Sequence, residues 1–214
     1  MRVAQIGATG LVGRQLWPLL ERRHELVVLG RRASGARHEK LGTMEEWPAL
    51  LAGERLDTAV STLGSTIGKA GSWPRFEAVD RFAVLSFAQA ARAAGARHFL
   101  AVSSSGANAA GRNRYLRLKG EVEEALGSIG FERVDIVRPG LLLGKRTGDH
   151  RALERVAAAL DPLSRLVLRG RLDRYAGIAS AKVARALALL AEREEPGQFV
   201  HHNREIRRLA EASA

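Results

Sequence analysis

The sequence predicts a doubly wound α/β protein with a mostly parallel sheet, and three observations carry that expectation. Short apolar runs alternate with helical stretches in units of about 30 residues, the rhythm of parallel strands joined by crossover helices. The first run leads directly into a glycine-rich turn that opens a helix. The length, 214 residues of which 46% are hydrophobic and 27% charged, suits one globular domain with a sizeable core rather than a disordered chain.

Taken in order, Val3–Gly7 reads as a buried strand, Leu11–Arg22 as a helix and Leu26–Gly30 as a second buried strand. A loop-rich segment follows, with a short helix near Met44–Ala52. Thr58–Leu63 is a further apolar strand and Pro74–Ala94 a single long helix. His98–Ser103 is the next strand. Asn113–Leu126 is a helix with Glu, Lys and Arg on its outer face, and Val134–Arg138 a strand stopped by Pro139-Gly140. The last third is less regular. Arg151–Leu160 and Ala181–Arg193 read as helices, the second with Ser180 as its N-cap. Phe199–His201 reads as one more strand and Asn203–Ala212 as a final helix. With no internal repeat or Pro/Ser-rich linker, residues 1–214 read as a single domain in which 141–214 form a small C-terminal substrate side.

Composition excludes several function classes. There is no cysteine, hence no disulfide framework, thiolate metal site or cysteine nucleophile. The six histidines show no metal-ligand spacing, so no metal is expected. The formal net charge of +11 comes mostly from arginines spread singly over predicted helix faces. Their scatter, with aromatics at 5%, provides no base-stacking platform and argues against a nucleic-acid partner. No secretory signal and no apolar run long enough to span a membrane is read, which leads to the expectation of a cytoplasmic protein, monomer or homodimer.

Gly7-Ala8-Thr9-Gly10-Leu11-Val12-Gly13 has the form G-x-x-G-x-x-G between the first strand and the first helix. Glycines there permit a tight turn and close backbone approach to a pyrophosphate, whose charge the helix N-terminus stabilises. The second strand ends Leu29-Gly30-Arg31-Arg32, with no acid to bond a ribose 2′-hydroxyl. A guanidinium fork suits a 2′-phosphate, so NADP(H) is favoured over NAD(H).

Tyr115 and Lys119 lie four positions apart on a predicted helix, which places both polar heads on one face. An ammonium beside a phenol favours the phenolate, making Tyr115 a usable acid–base group at a carbonyl or alcohol oxygen. Ser103-Ser104-Ser105 stands at the carboxyl end of a predicted core strand, the edge where open α/β sheets bind ligands.

These segments resemble the short-chain dehydrogenase/reductase superfamily, in its short atypical branch. STLGSTIGKAG, the VDRF of the long helix, FLAVSSSGAN, YLRLKGEVEEAL and VRPGLLLGKR are similar to the Tat-interacting-protein oxidoreductase group and its bacterial relatives. The resemblance implies a Rossmann fold, NADPH binding and a Tyr115/Lys119 catalytic pair, with Lys119 also gripping the nicotinamide ribose. It implies Ser104 as the family serine with Ser105 as competitor. It places Ser61, Thr62, Leu63 and Gly64 on the adenine-ribose side, and Pro139 and Gly140 beside the nicotinamide. Two departures stand out: Ser61–Gly64 replaces the asparagine-alanine-glycine turn of the superfamily's typical branch, and Ser104 precedes Tyr115 by only 11 positions.

The expected function is therefore an NADPH-dependent reductase of a small carbonyl or alcohol substrate. The alternatives are an NADPH-binding regulatory or redox-sensing protein with little turnover, and an NAD(P)-dependent epimerase-like enzyme. Lys145, Arg146, Arg151, Arg155, Arg165, Arg169, Arg171 and Arg174 suggest a cationic lid for an acidic or CoA-like substrate, or simply an arginine-rich surface. Trp47 and Trp73 read as core residues.

Overall fold

The computed structural model describes residues 1–144 and 170–212. Its strands are β1 (Arg2–Ile6), β2 (Glu25–Gly30), β3 (Glu39–Leu41), β4 (Thr58–Ser61), β5 (His98–Val102), β6 (Arg133–Arg138), β7 (Leu142–Leu143), β8 (Ile178–Ala179) and β9 (Gly197–His202). Among the described residues they form a seven-stranded parallel sheet in the order β3-β2-β1-β4-β5-β6-β9, with β7 and β8 a separate parallel pair. The order reverses direction between β1 and β4, where Ile6 stands opposite Ser61. In sheets of this kind the crevice beyond such a reversal binds ligands.

Helices cover both faces, which is why the strands read as continuous apolar runs rather than alternating ones. Ile6, Leu29, Phe99 and Ile136 pack beneath Phe76, Phe87 and Leu126 on one face. Val28, Leu100 and Val137 pack on the other beneath Leu16 and Leu20 of α1 (Gly13–Glu21), with Val183, Leu187 and Ile206. The last three belong to helices Ser180–Leu190 and Asn203–Ala212.

The expected elements are present where they are described, with four differences. The long helix begins at Trp73, where Ser72 Oγ accepts the Arg75 N–H at 3.4 Å, and runs to Ala93. It is interrupted by a π-helical segment, Ala78–Ala83. β3, the short helix Ile67–Ala70, β7, β8 and the 3₁₀ turn Gly170–Tyr175 fall where no strand or helix is read; two to six residues carry too little periodicity to register. Ser180 does not cap its helix. The cap position is Ala179, and Ser180 Oγ instead accepts from Gln15 Nε2 at 2.5 Å, tying α1 to the C-terminal half. The final strand is six residues long and pairs along the whole of β6. The helix expected over Arg151–Leu160 lies outside the described residues.

A buried charge cluster fastens that last strand. Asp135 is wholly buried and meets His98 Nε2 and His201 Nε2, each at 2.6 Å, and Arg133 Nε at 2.5 Å. Burial opposes its ionisation, but hydrogen bonds from His201, His98 and Arg133 prevail and hold the carboxyl well below the usual carboxylate range. His201 also faces Glu205 at 3.1 Å. Burial lowers its basicity, yet the Asp135 hydrogen bond and the Glu205 charge together raise it above the ordinary imidazole value.

Candidate active site

The chain leaves β1 at Ile6 and turns at Gly7, whose φ of +79° is a conformation open to glycine. The Gly10 N–H donates to the Gly7 carbonyl at 2.9 Å, and the Arg14 N–H to the Gly10 carbonyl at 3.1 Å. A Cβ on Gly7 would lie 2.5 Å from the Leu63 nitrogen, and one on Gly13 would lie 2.1 Å from the Gly7 carbonyl oxygen. The glycines thus let the loop press against the turn after β4, where Thr62 Oγ1 donates to the Ile6 carbonyl at 2.9 Å. No side chain caps the N-terminus of α1, so its positive dipole end faces the crevice.

A cleft of about 280 Å³ opens over this loop. Thr9, Gly10, Leu11 and Val12 form one wall, and Thr62, Leu63 and Gly64 form another; Ser103, Tyr115 and Lys119 complete it. A smaller hollow of about 50 Å³ adjoins it, bounded by Gly7, Ala8, Gly30, Arg31, Arg32 and Leu63, with buried Trp47 beneath. Arg31 and Arg32 are exposed at its rim. The glycine loop lines both hollows, which share Thr9 and Leu63, and the arginines border only the smaller one.

The chemistry-bearing residues come from the helix Arg114–Gly127, whose N-terminus Asn113 caps by accepting the Leu116 N–H at 3.0 Å. Tyr115 is half-buried against Phe76, ring centroids 5.6 Å apart. Phe76 in turn contacts Trp73 at 5.2 Å, and the Arg114 guanidinium covers the Trp73 ring at 3.9 Å. Lys119, one turn beyond Tyr115, is 6% exposed, and its Nζ lies 2.6 Å from Asp80 Oδ1. Asp80 is wholly buried in the π segment, and its other oxygen accepts the Ser65 N–H at 2.7 Å. Burial raises the Asp80 pKa against the opposing pull of Lys119. Sequence reasoning passed over Asp80, although a signal existed: it interrupts an apolar stripe of Phe76, Ala83, Val84 and Phe87.

Of the three serines, Ser103 lines the cleft, and Ser104 and Ser105 do not. Ser103 Oγ donates to Glu123, which also binds Arg138. Ser105 is buried with its N–H on the Pro139 carbonyl at 3.0 Å. Ser61 is buried at the end of β4 and adjoins Asp80 and Lys119 from below. Pro139 and Gly140 form no wall of either cleft. Gly140 donates to Asn203 Oδ1 at 2.9 Å and packs where a Cβ would meet the Ala176 carbonyl at 2.2 Å, so the pair braces the segment carrying Leu142 to the cleft. Most of the cationic stretch, including Lys145, Arg146, Arg151, Arg155, Arg165 and Arg169, lies outside the described residues, as does the Arg171 side chain. Arg174 is exposed and stacks over Tyr175 at 4.9 Å.

Fold and cleft together define a Rossmann-class α/β protein whose crevice lies at the sheet's reversal point. Solved structures agree with that class at low identity. A UDP-glucose 4-epimerase from Thermotoga maritima superposes with a TM-score of 0.70 at 16% identity, over 99% of this chain and 82% of its own. The Escherichia coli anaerobillin reductase ChuY superposes at 0.64 with 21% identity, over 94% and 95%. MoeE5, in complex with UDP-glucuronic acid and NAD, superposes at 0.68 with 18% identity, over 94% and 75%. No protein-family model matches the chain. Sequence relatives narrow the class: the chain belongs to the FMP52 family of fungal proteins. It is 34% identical to the FMP52 protein of Eremothecium gossypii over 186 residues, 83% of this chain and 81% of that one. The Emericella nidulans protein is 36% identical over 72% of each chain.

These relatives are named as mitochondrial proteins, which overturns the expectation of a cytoplasmic one. That expectation rested on the lack of a secretory signal and of a spanning segment, and neither feature separates one internal compartment from another. Among the described residues, no helix is long and apolar enough to cross a membrane.

Proposed function

We propose that the protein is an NADP(H)-dependent oxidoreductase of carbonyl-reductase type acting on a small carbonyl or alcohol substrate. One observation carries the proposal: the glycine loop, Tyr115 and Lys119 open onto a single cleft at the sheet's reversal point. The cradle fits a dinucleotide. Its glycines occupy places a Cβ would fill, α1 has no side-chain cap, and the arginine pair bordering the adjoining hollow would suit an adenosine 2′-phosphate. A bound nicotinamide supplies the hydride. Tyr115 holds the proton that a reduced carbonyl oxygen takes up or an alcohol gives back, and Ser103, held by Glu123, offers its oxygen to the same space. The resemblance to the Tat-interacting-protein oxidoreductase group supports this assignment.

The test is a fluorescence titration with NADPH and NADH, followed by turnover on a panel of aldehydes and ketones. Tyr115→Phe should bind NADPH as the parent does and lose about 10²–10⁴-fold in turnover. Failure to bind either nucleotide would sink the oxidoreductase assignment. A nucleotide that stays bound through purification, with no net reduction of the panel, would favour the epimerase-like alternative.

A further inference from the structure

We propose that Asp80 is a positioning residue that, by pairing with Lys119 in the floor of the cleft, sets the pH at which Tyr115 exchanges its proton. The inference rests on the assignment of Tyr115 as the proton-carrying group. It starts from a conflict between spacing and geometry. A lysine one turn from a tyrosine stabilises the phenolate through its net positive charge. Here that charge is met at 2.6 Å by a carboxylate with no exposed surface. Seen from Tyr115, the pair is a dipole rather than a net charge, and a dipole's field falls off faster with distance.

Among the described residues, the other charged groups around the cleft do not replace the cancelled charge. Arg14 on α1 and Lys69 on the helix Ile67–Ala70 line the same cleft with access to water, where their fields are screened. Arg114 is exposed and engaged over the Trp73 ring. Glu123, one turn beyond Lys119, is committed to Arg138 and Ser103. Among the described charged residues, only Asp80 and Lys119 combine burial with a place at the site.

The fold holds Asp80 deliberately. It occupies the π segment, where the helix departs from regular spacing, and the Ser65 N–H fixes its second oxygen at 2.7 Å. An acid in an apolar helix face is costly to bury, and these two contacts, both directed at the cleft, are what it gains there. Gly64 lies against the pair, its Cβ position 3.6 Å from Asp80 Oδ1 and 3.9 Å from Lys119 Nζ.

The chain has two tyrosines, so tyrosinate absorbance on the whole protein can follow Tyr115, with Tyr115→Phe identifying its transition. Asp80→Asn should move that transition to lower pH by about one unit or more, because it leaves the ammonium unopposed. Lys119→Met should move it to higher pH. The double variant Asp80→Asn/Lys119→Met replaces a neutral pair by another neutral pair and should return it to the wild-type position. An unmoved transition in Asp80→Asn overturns the proposal. So does a double variant that titrates like Lys119→Met alone, since Lys119 would then act without Asp80. Should Asp80→Asn fail to fold, the comparison of the double variant with Lys119→Met decides. The titration needs neither nucleotide nor substrate, so its outcome stays separate from that of the oxidoreductase assignment.

Discussion

Alanine at Gly13 is the sharpest test of the loop as a cradle rather than a simple strand-to-helix turn. The new Cβ would fall 2.1 Å from the Gly7 carbonyl oxygen and 2.6 Å from Thr62 Oγ1. The first of these neighbours is backbone, so the loop itself must shift by an ångström or more. Overpacking of this kind costs about 1–3 kcal/mol. Alanine recovers about 0.4–1 kcal/mol by restricting the unfolded chain, which leaves a net loss of up to about 2.6 kcal/mol. A shifted loop also misaligns the backbone donors that would meet a pyrophosphate, and each 1.4 kcal/mol lost there weakens binding about tenfold. Urea unfolding and NADPH fluorescence titration read the two effects separately. Gly68→Ala is the control: nothing lies within 4 Å of its Cβ position, so it should be neutral or slightly stabilising and bind NADPH normally. A Gly13→Ala protein with parental stability and affinity would refute the close contact between the loop and the β4 turn, and with it the cradle.

Replacing Arg31 and Arg32 together by alanine should weaken NADPH binding while sparing NADH, with the difference shrinking at high salt because both side chains are exposed; equal losses for both nucleotides would remove the phosphate clamp. Asp135→Asn should destabilise the fold by about 3–5 kcal/mol in urea, because Arg133 and His201 lose their buried counter-charge. The same cluster gives stability a pH window. Asp135, depressed in the folded state, contributes above an unfolded pKa near ~3.9, and that contribution is lost as pH falls. His201, raised in the folded state, contributes fully below about 6.5, and its share fades as pH rises through the folded value. Stability from this cluster should therefore peak between about pH 5 and 6.5, and a profile rising steadily to pH 8 would contradict it. Phe99→Ala should cost about 3–5 kcal/mol, since the ring is wholly buried between Phe87 and Phe131.

What could be read from the chain and what could not divide along a physical line. The placing of Gly10, Tyr115 and Lys119 around one cleft, and of Gly7, Arg31 and Arg32 around the hollow beside it, was legible because it follows from local spacing: a turn, a helical repeat, a strand tip. The apolar runs of β1, β4 and β5 were legible because burial on both faces leaves an uninterrupted pattern. Asp80 shows in the sequence only as an acid breaking an apolar stripe; what it meets was not legible, because its partner lies 39 positions away. The choice among Ser103, Ser104 and Ser105 was not either. Which of them lines the cleft depends on how the chain turns after β5; there Ser103 lines it, with its hydroxyl on Glu123 of another helix. The hidden residues are therefore the ones that adjust the visible ones. Tyr115 and Lys119 name a chemistry on their own, but the charge that Lys119 presents to Tyr115 is decided by Asp80. A sequence motif of this kind identifies a reactive pair, and only the buried neighbours determine the pH at which the pair works.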